Sequence, residues 1–301
     1  MKDELIHGML CDRQIRFAAI AGADMVRNAQ STHALSRVAT AALGRQLMMT
    51  SIIASQLKNA TDTVTTVVAG DGPAGNLVCV GRYGGLVKGY ASDPSTELPL
   101  RDDGKLDVGG YVGRQGKLTL IRDLGLKEPY VGMCNLVSGE IAEDFAQYFT
   151  ASEQQPSLVY LGVREEAESG RVLAAGGLLV QPLPGCPDEA ISHVEAVVGR
   201  IRRLTERLAD GANLKDTAEE IFNGLSPEIT ETFSPAYACD CTRDRLERAL
   251  LSIGESELND ILAHEGEAEL TCQFCLKKYH FDREQLTELL KAAKDEETDG
   301  E

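Results

Sequence analysis

The sequence predicts an α+β fold. A large sheet-and-helix domain spans residues 1–185, a helical linker 186–238, and a small four-cysteine module 239–301. Three observations carry this. Strand-like segments crowd the first 180 residues, with few helices between them. A dense Pro/Gly break, QPLPGCP, falls at Gln181 to Pro187. Four of the eight cysteines lie in two tight pairs close to the C-terminal end.

In chain order, Ser36 to Leu57 reads as a helix, with Leu43, Leu47 and Ile53 among its apolar positions. Thr63 to Ala69 (TVTTVVA) is β-branched and reads as a strand that ends in the turn Asp71-Gly72-Pro73. Asn76 to Val80, Leu86 to Tyr90 and Lys117 to Arg122 read as further strands. Ile141 to Thr150 reads as a helix capped by Ser138, and Ser157 to Val163 and Arg171 to Gln181 as late strands. Beyond the break, one helix is expected from Asp188 to Asp210. Its apolar residues Ile191, Val194, Val198, Ile201, Leu204 and Leu208 share a stripe. A shorter helix follows over Lys215 to Asn223, then an irregular connector flanked by Ser226-Pro227 and Ser234-Pro235.

In the last module, Arg243 to Ile253 and Ser256 to His264 read as helices, and Ala268 to Thr271 and Lys278 to Phe281 as a short hairpin. Asp282 and Gln285 form a capping box for a final helix, with Phe281 stapling to Leu286. The tail after Lys294 is expected to fray.

The net charge of −17, the absence of Trp and an aromatic content of 5% argue against nucleic acid as a partner. No apolar run approaches the ~20 residues needed to span a bilayer, and residues 1–17 carry no signal-peptide core, so a cytoplasmic protein with no membrane partner is expected. The glycines at 70–75 and 81–85 read as turns, and Gly116-Lys117 lacks the rest of a phosphate loop. No Gly-x-Ser-x-Gly elbow or zinc-protease motif marks an enzyme. In a reducing compartment, clustered cysteines point to metal or redox chemistry.

Cys239, Cys241, Cys272 and Cys275 follow the pattern Cys-x-Cys, 30 residues, Cys-x-x-Cys. Four thiolates in two close pairs suit one tetrahedral Zn²⁺ with no open position. Iron is the competing metal for such a set. His264 and His280 are the nearest imidazoles and are not expected as ligands. Most four-cysteine sites are inert staples, but three features point to a redox switch. Cys-x-Cys is unusual for a staple. The centre would carry −2, offset only by Arg243, Arg245, Lys277 and Lys278. Thiolate character also makes sulfur oxidisable. On the residues alone, a static zinc-knuckle binding module, a thiol–disulfide oxidoreductase and a switch all stand. Cys11, Cys79, Cys134 and Cys186 are scattered and read as small buried hydrophobes, with Cys186 the most exposed.

Joined to Gly70-Asp71-Gly72-Pro73-Ala74-Gly75, Gly85 to Tyr90, Leu136 to Asp144, Ser152-Glu153-Gln154 and Gly176 to Pro184, the cysteine pattern resembles the heat-shock protein 33 family of redox-regulated holdase chaperones over nearly the whole chain. Lys88 and the Pro-Gly-Cys-Pro at 184–187 depart from the family pattern. The resemblance implies a reduced, zinc-bound, inactive state. It implies an oxidised, dimeric state with disulfides Cys239–Cys241 and Cys272–Cys275 that binds unfolding client proteins without ATP. The 239–301 module would then be the redox switch, and the 191–208 stripe a docking face that alternates with client binding.

Overall fold

The computed structural model of the chain describes residues 2–298, with side chains described through Lys291. The fold is α+β, and the chain falls into two compact units, Met1–Ala238 and Cys239–Glu301.

The first unit begins with the hairpin β1 (Glu4–Leu10) and β2 (Ile15–Ala21), followed by α1 (Ala23–His33) and α2 (Arg37–Ala54). Then come β3 (Thr63–Gly70), β4 (Asn76–Arg82), β5 (Leu86–Ala91), α3 (Val108–Val112), β6 (Gly116–Asp123), β7 (Tyr130–Asn135) and α4 (Ala142–Ser152). Strands β8 (Leu158–Glu165) and β9 (Val172–Pro182) precede α5 (Asp188–Ala196), α6 (Val198–Ile201), α7 (Leu204–Ala209) and α8 (Leu214–Ile221). Strands β10 (Glu228–Phe233) and β11 (Ala236–Tyr237) close the unit. One sheet has the order β10-β1-β2-β9-β8, and the other β11-β5-β4-β3-β6-β7. All pairings are antiparallel except β11 with β5.

Helix α2 lies between the two sheets, against β3, β4 and β5 on one side and β2, β8 and β9 on the other. Of its 18 residues only Arg37 and Arg45 reach solvent, as a helix apolar all round requires. Ser36 caps it, its side chain accepting from Ala39 N at 3.2 Å. Two of its buried polar side chains bond β3: Gln46 Nε2 donates to the Thr66 carbonyl at 3.0 Å, and Thr50 shares a hydroxyl bond with Thr66 at 2.7 Å.

The five-stranded sheet is buried on both faces, so β2 and β9 run nearly continuously apolar. Ala18, Ile20, Ala175 and Leu179 join the α2 core, whereas Phe17, Ala19, Leu178 and Val180 join a second core on the other face. Residues 188–225 cover that second face, with Val194, Ile201, Leu204, Leu208, Ile221 and Phe222 all in its core. The close approach of α7 rests on glycine. Gly162 and Gly176 pair across β8 and β9, and a Cβ on Gly176 would stand 3.0 Å from Leu208 Cδ1 and 3.2 Å from Leu204 Cγ. A Cβ on Gly162 would collide with Thr205 Oγ1.

Several expectations change. The single helix 188–210 is three short ones. Val197 leaves helical geometry (φ −100°, ψ 1°), and Arg200 N and Arg203 N make tighter bonds to Val197 O and Arg200 O. These breaks let the stripe follow a twisted sheet. The connector expected to be irregular contains β10, which pairs with β1. Ser138 does not cap α4. The fully buried Asp144 instead accepts from the N–H groups of Val137, Ser138, Gly139 and Ile141 at 2.7 to 3.3 Å. The Gly70–Gly75 segment is a turn that grips α3: Gly72 N donates to Val112 O, and Asp71 Oδ1 accepts from Arg114 N and Gln115 N. Strand β7 and the 4–33 elements carry no prediction.

The second unit comprises α9 (Arg243–Leu251), α10 (Glu255–His264), the hairpin β12 (Ala268–Thr271) and β13 (Lys278–Phe281), and α11 (Arg283–Thr298). Its core is small: Leu250, Leu258, Tyr279, Phe281, Leu286 and Leu290. The capping box forms as predicted, with Gln285 N on Asp282 Oδ1 at 2.9 Å and Asp282 N on Gln285 Oε1 at 3.1 Å. The fully buried Phe281 and Leu286 belong to the same core. Helix α11 continues past Lys294 to Thr298, and the rest of the tail, 299–301, lies outside the described residues.

Candidate metal centre

Two turns bring the four cysteines together. In the hairpin, Cys272 N donates to Lys277 O at 3.0 Å and Leu276 N to Cys272 O at 2.8 Å, with Leu276 in the left-handed region (φ 57°). This tight reversal aims Cys272 and Cys275 to one side. The Cys239-Asp240-Cys241 turn leads directly into α9, whose N-cap Thr242 accepts from Arg245 N. The Cys239 sulfur accepts from the Cys241 N–H, and the Cys275 sulfur from the Lys277 N–H. Each pair thus brings a backbone donor to one of its own thiolates.

All four sulfurs lie within 4.8 Å of one another. Cys239 and Cys272 are 3.7 Å apart, and Cys241 and Cys275 3.3 Å. A tetrahedron with Zn–S near 2.3 Å has an edge of about 3.8 Å, so the donor set and its spacing fit a four-sulfur metal site. Cys272 is buried and the other three are half-buried.

His264 and His280 stay out of the cluster. His264 Nδ1 meets the Asp260 carbonyl at 2.9 Å, and His280 Nε2 meets Glu267 at 3.0 Å. The four cations expected to offset the centre are mostly engaged elsewhere. Arg245 pairs with Asp240, Lys278 with Glu269 at 2.7 Å, and Arg243 with Glu247. Arg243 also stacks 4.2 Å over Phe281, bonding Gln285 and the His280 carbonyl. Lys277 lies 4.8 Å over the Tyr279 ring.

Tyr279 is the residue that sequence reasoning missed. Its hydroxyl is 3.2 Å from Cys241 Sγ and 3.1 Å from the Cys241 carbonyl. Burial works against ionisation of Cys241, but the Tyr279 hydroxyl and the neighbouring thiols bring it down to about 7. Burial pushes Cys239 and Cys275 up. The tyrosine thus favours charge on Cys241, and that charge is shared within the cluster. The available signal was alternation: Tyr279 and Phe281 are the inward positions of β13.

The stripe at 191–208 is elsewhere, on the sheet of the first unit. Val194, Ile201, Leu204 and Leu208 are buried, and Ile191 and Val198 half-buried. Among the remaining cysteines, Cys79 is buried, while Cys11, Cys134 and Cys186 are half-buried. Among the described residues, no helix is long and apolar enough to cross a membrane.

Comparison with known proteins gives one consistent answer. The family model described as Hsp33 protein matches residues 3–282. The "33 kDa chaperonin" of Caldanaerobacter subterraneus is 43% identical over 94% of this chain and 95% of its own length. That of Alkaliphilus metalliredigens is 41% identical over 96% and 99%. The crystal structure of the 33 kDa chaperonin (heat shock protein 33 homolog) from Thermotoga maritima superposes with a TM-score of 0.86 at 37% identity, covering 98% of this chain and all of that one. With the four-cysteine cluster in place and the match spanning almost every residue, the chain belongs to the Hsp33 family.

Proposed function

We propose that this chain is an ATP-independent holdase, not an enzyme, whose C-terminal unit is a redox lock. The convergence of Cys239, Cys241, Cys272 and Cys275 in a unit with a six-residue core carries the reading. In the reduced state, one Zn²⁺ held by the four thiolates supplies folding free energy on the order of 10–16 kcal/mol. The chain's own residues do the rest. The two backbone N–H donors and Tyr279 stabilise thiolate charge, which keeps the sulfurs both metal-binding and oxidisable. Oxidation to Cys239–Cys241 and Cys272–Cys275 consumes all four donors. Every sulfur already lies within 4.8 Å of the others, so these bridges need only local movement. Such short loops restore little stability.

The domain roles follow: 1–185 as a stable core, 186–238 as the responsive linker, and 239–301 as the switch. Of the stripe Ile191, Val194, Val198, Ile201, Leu204 and Leu208, the residues Val194, Ile201, Leu204 and Leu208 are packed on the sheet, so client binding through them requires α5–α7 to lift. Lifting exposes a contiguous apolar surface on both the helices and the sheet, suited to unfolding proteins. The net charge of −17 keeps such complexes dispersed. The oxidised form would be a homodimer, and the compartment the cytoplasm, where thiols rest reduced. The test follows zinc release and suppression of aggregation of a heat-unfolded protein together, during peroxide treatment with mild heating. Both should rise in parallel and without ATP. Activity in the reduced, zinc-loaded form equal to that of the oxidised form would overturn the reading.

A further inference from the structure

Two cysteines outside the C-terminal cluster sit on adjoining turns at the entry to α5. The β1–β2 connection contains no glycine, yet Cys11, Asp12 and Arg13 all adopt positive φ (51°, 53° and 67°). It is held in place by Gln14 N donating to Leu10 O and by Cys11 N donating to Leu225 O at 2.8 Å. At the end of β9, Cys186 N donates to Leu183 O at 3.0 Å, closing a second turn. The two turns are stitched at their bases: Ile15 pairs with Pro182 in the β2–β9 ladder, and Leu183 N donates to Gln14 O at 2.9 Å. Cys11 opens one of these neighbouring turns and Cys186 closes the other, and both pack against the same apolar core. Burial raises the Cys11 thiol pKa, and charge at Cys186 adds to the rise, as expected of close neighbours.

We propose that Cys11 and Cys186 form a dithiol that peroxide converts to a disulfide, stapling the β1–β2 turn to the entry of α5. One thiolate attacks peroxide and keeps one oxygen as a sulfenic acid, releasing the other as water after protonation. The second thiol then displaces the sulfenic hydroxyl, which leaves as a second water, and the S–S bond forms. Two thiols lose two electrons and two protons, and one peroxide is reduced to two waters. The staple would anchor residue 186 to the core sheet while leaving the segment beyond it free to lift. Both cysteines belong to the first unit, so the bridge requires neither metal nor change at Cys239 to Cys275.

The full-length protein is treated with peroxide, its remaining thiols alkylated, and the chain digested without reductant for mass spectrometry. The expected result is a Cys11–Cys186 linked peptide as the dominant bridge within the first unit, absent after reduction. A short bifunctional thiol alkylator applied to the reduced, folded protein should also bridge the pair. In Cys186→Ser it should modify Cys11 at one end only. The proposal is overturned if Cys11 and Cys186 remain separately alkylated at every peroxide dose that oxidises the C-terminal cysteines. Failure of the bifunctional reagent to join them, or bridging of either to Cys79 or Cys134 as often as to each other, overturns it too.

Discussion

Replacing Gly162 by valine should loosen the 188–221 helices without touching the metal centre. Gly162 faces Gly176 across β8 and β9, and together they form the floor under α7. A Cβ at 162 collides with Thr205 Oγ1 and stands 3.3 Å from Thr205 Cβ; the valine methyls reach further. Thr205 is itself 6% exposed, so the collision cannot be relieved outward without moving the helix. Overpacking of this kind costs about 1–3 kcal/mol. If α5–α8 open as a unit, their opening equilibrium rises about 5- to 150-fold. Hydrogen exchange of the reduced, zinc-loaded variant should show protection lost by that factor across 188–221. Protection in α2, β3 and β4 should change little, because their core lies on the other face of the sheet. Aggregation suppression should then appear partly without oxidant. Uniform loss of protection through α2 would mean global destabilisation and refute the local argument. Exchange that rises over 188–221 with no gain in holdase activity would remove the stripe as the client surface.

X-ray absorption of the reduced protein should show four sulfur ligands on one metal, and His264→Ala with His280→Ala should leave metal content unchanged; a nitrogen ligand would contradict the geometry. Tyr279→Phe should make the reduced protein yield its metal to a chelator more readily, with metal affinity lower by about 10- to 100-fold, because the hydroxyl that donates to the Cys241 sulfur at 3.2 Å is lost. Unchanged metal retention would rule out the tyrosine's role. Burial raises Glu165 to about 7, against the pull of Arg37 at 3.3 Å. Its folded value exceeds its unfolded one, so the folded state binds more protons and stability falls as pH rises from about 4.5 through 7. Glu165→Gln should flatten that part of the urea-midpoint profile between about pH 5 and pH 8, and an unchanged slope would exclude Glu165 as its source.

What was legible in the sequence was what local chemistry decides. Helix α2 announces itself through its Ser36 cap and apolar run, and β3 through TVTTVVA. The β12–β13 hairpin shows in its alternation, and the last helix in its capping box. The four-cysteine cluster was legible because two close cysteine pairs suit a single metal ion whatever the surrounding fold. What escaped depends on distant partners. The β1–β2 hairpin turns through Cys11, Asp12 and Arg13, with no Gly, Pro or Asn to mark it. β10 is a strand because β1 offers it an edge. Four residues of the 188–210 stripe, Val194, Ile201, Leu204 and Leu208, reach the core, but Val197 takes the place expected of Val198, and the breaks at Val197 and Arg202–Arg203 answer to the sheet beneath. Tyr279 joins the sulfur cluster only once the hairpin register is known.

The two units hold themselves together by different means, and under the proposed function that difference would decide where oxidation acts. The first unit buries two cores, one on each face of the five-stranded sheet, and α2 is tied to β3 through Gln46 and Thr50. Among the described residues, the second packs six buried side chains into one core, with Cys272 buried beside the cluster of sulfurs, in a unit of about 63 residues, a size at which a core alone is marginal. It also carries 17 acidic against 8 basic residues, so it repels itself when extended order is lost. A domain's net stability is about 5–15 kcal/mol, comparable to what a structural zinc contributes. Under the proposed function, consuming the four thiolates would therefore remove most of what folds the second unit and almost nothing of what folds the core of the first. Residues 188–225 stand between these extremes. They are apolar enough to pack, but they consist of four helices of 4 to 9 residues, too short to persist off the sheet. A segment with that balance can change state at low cost while the sheet beneath it stays intact.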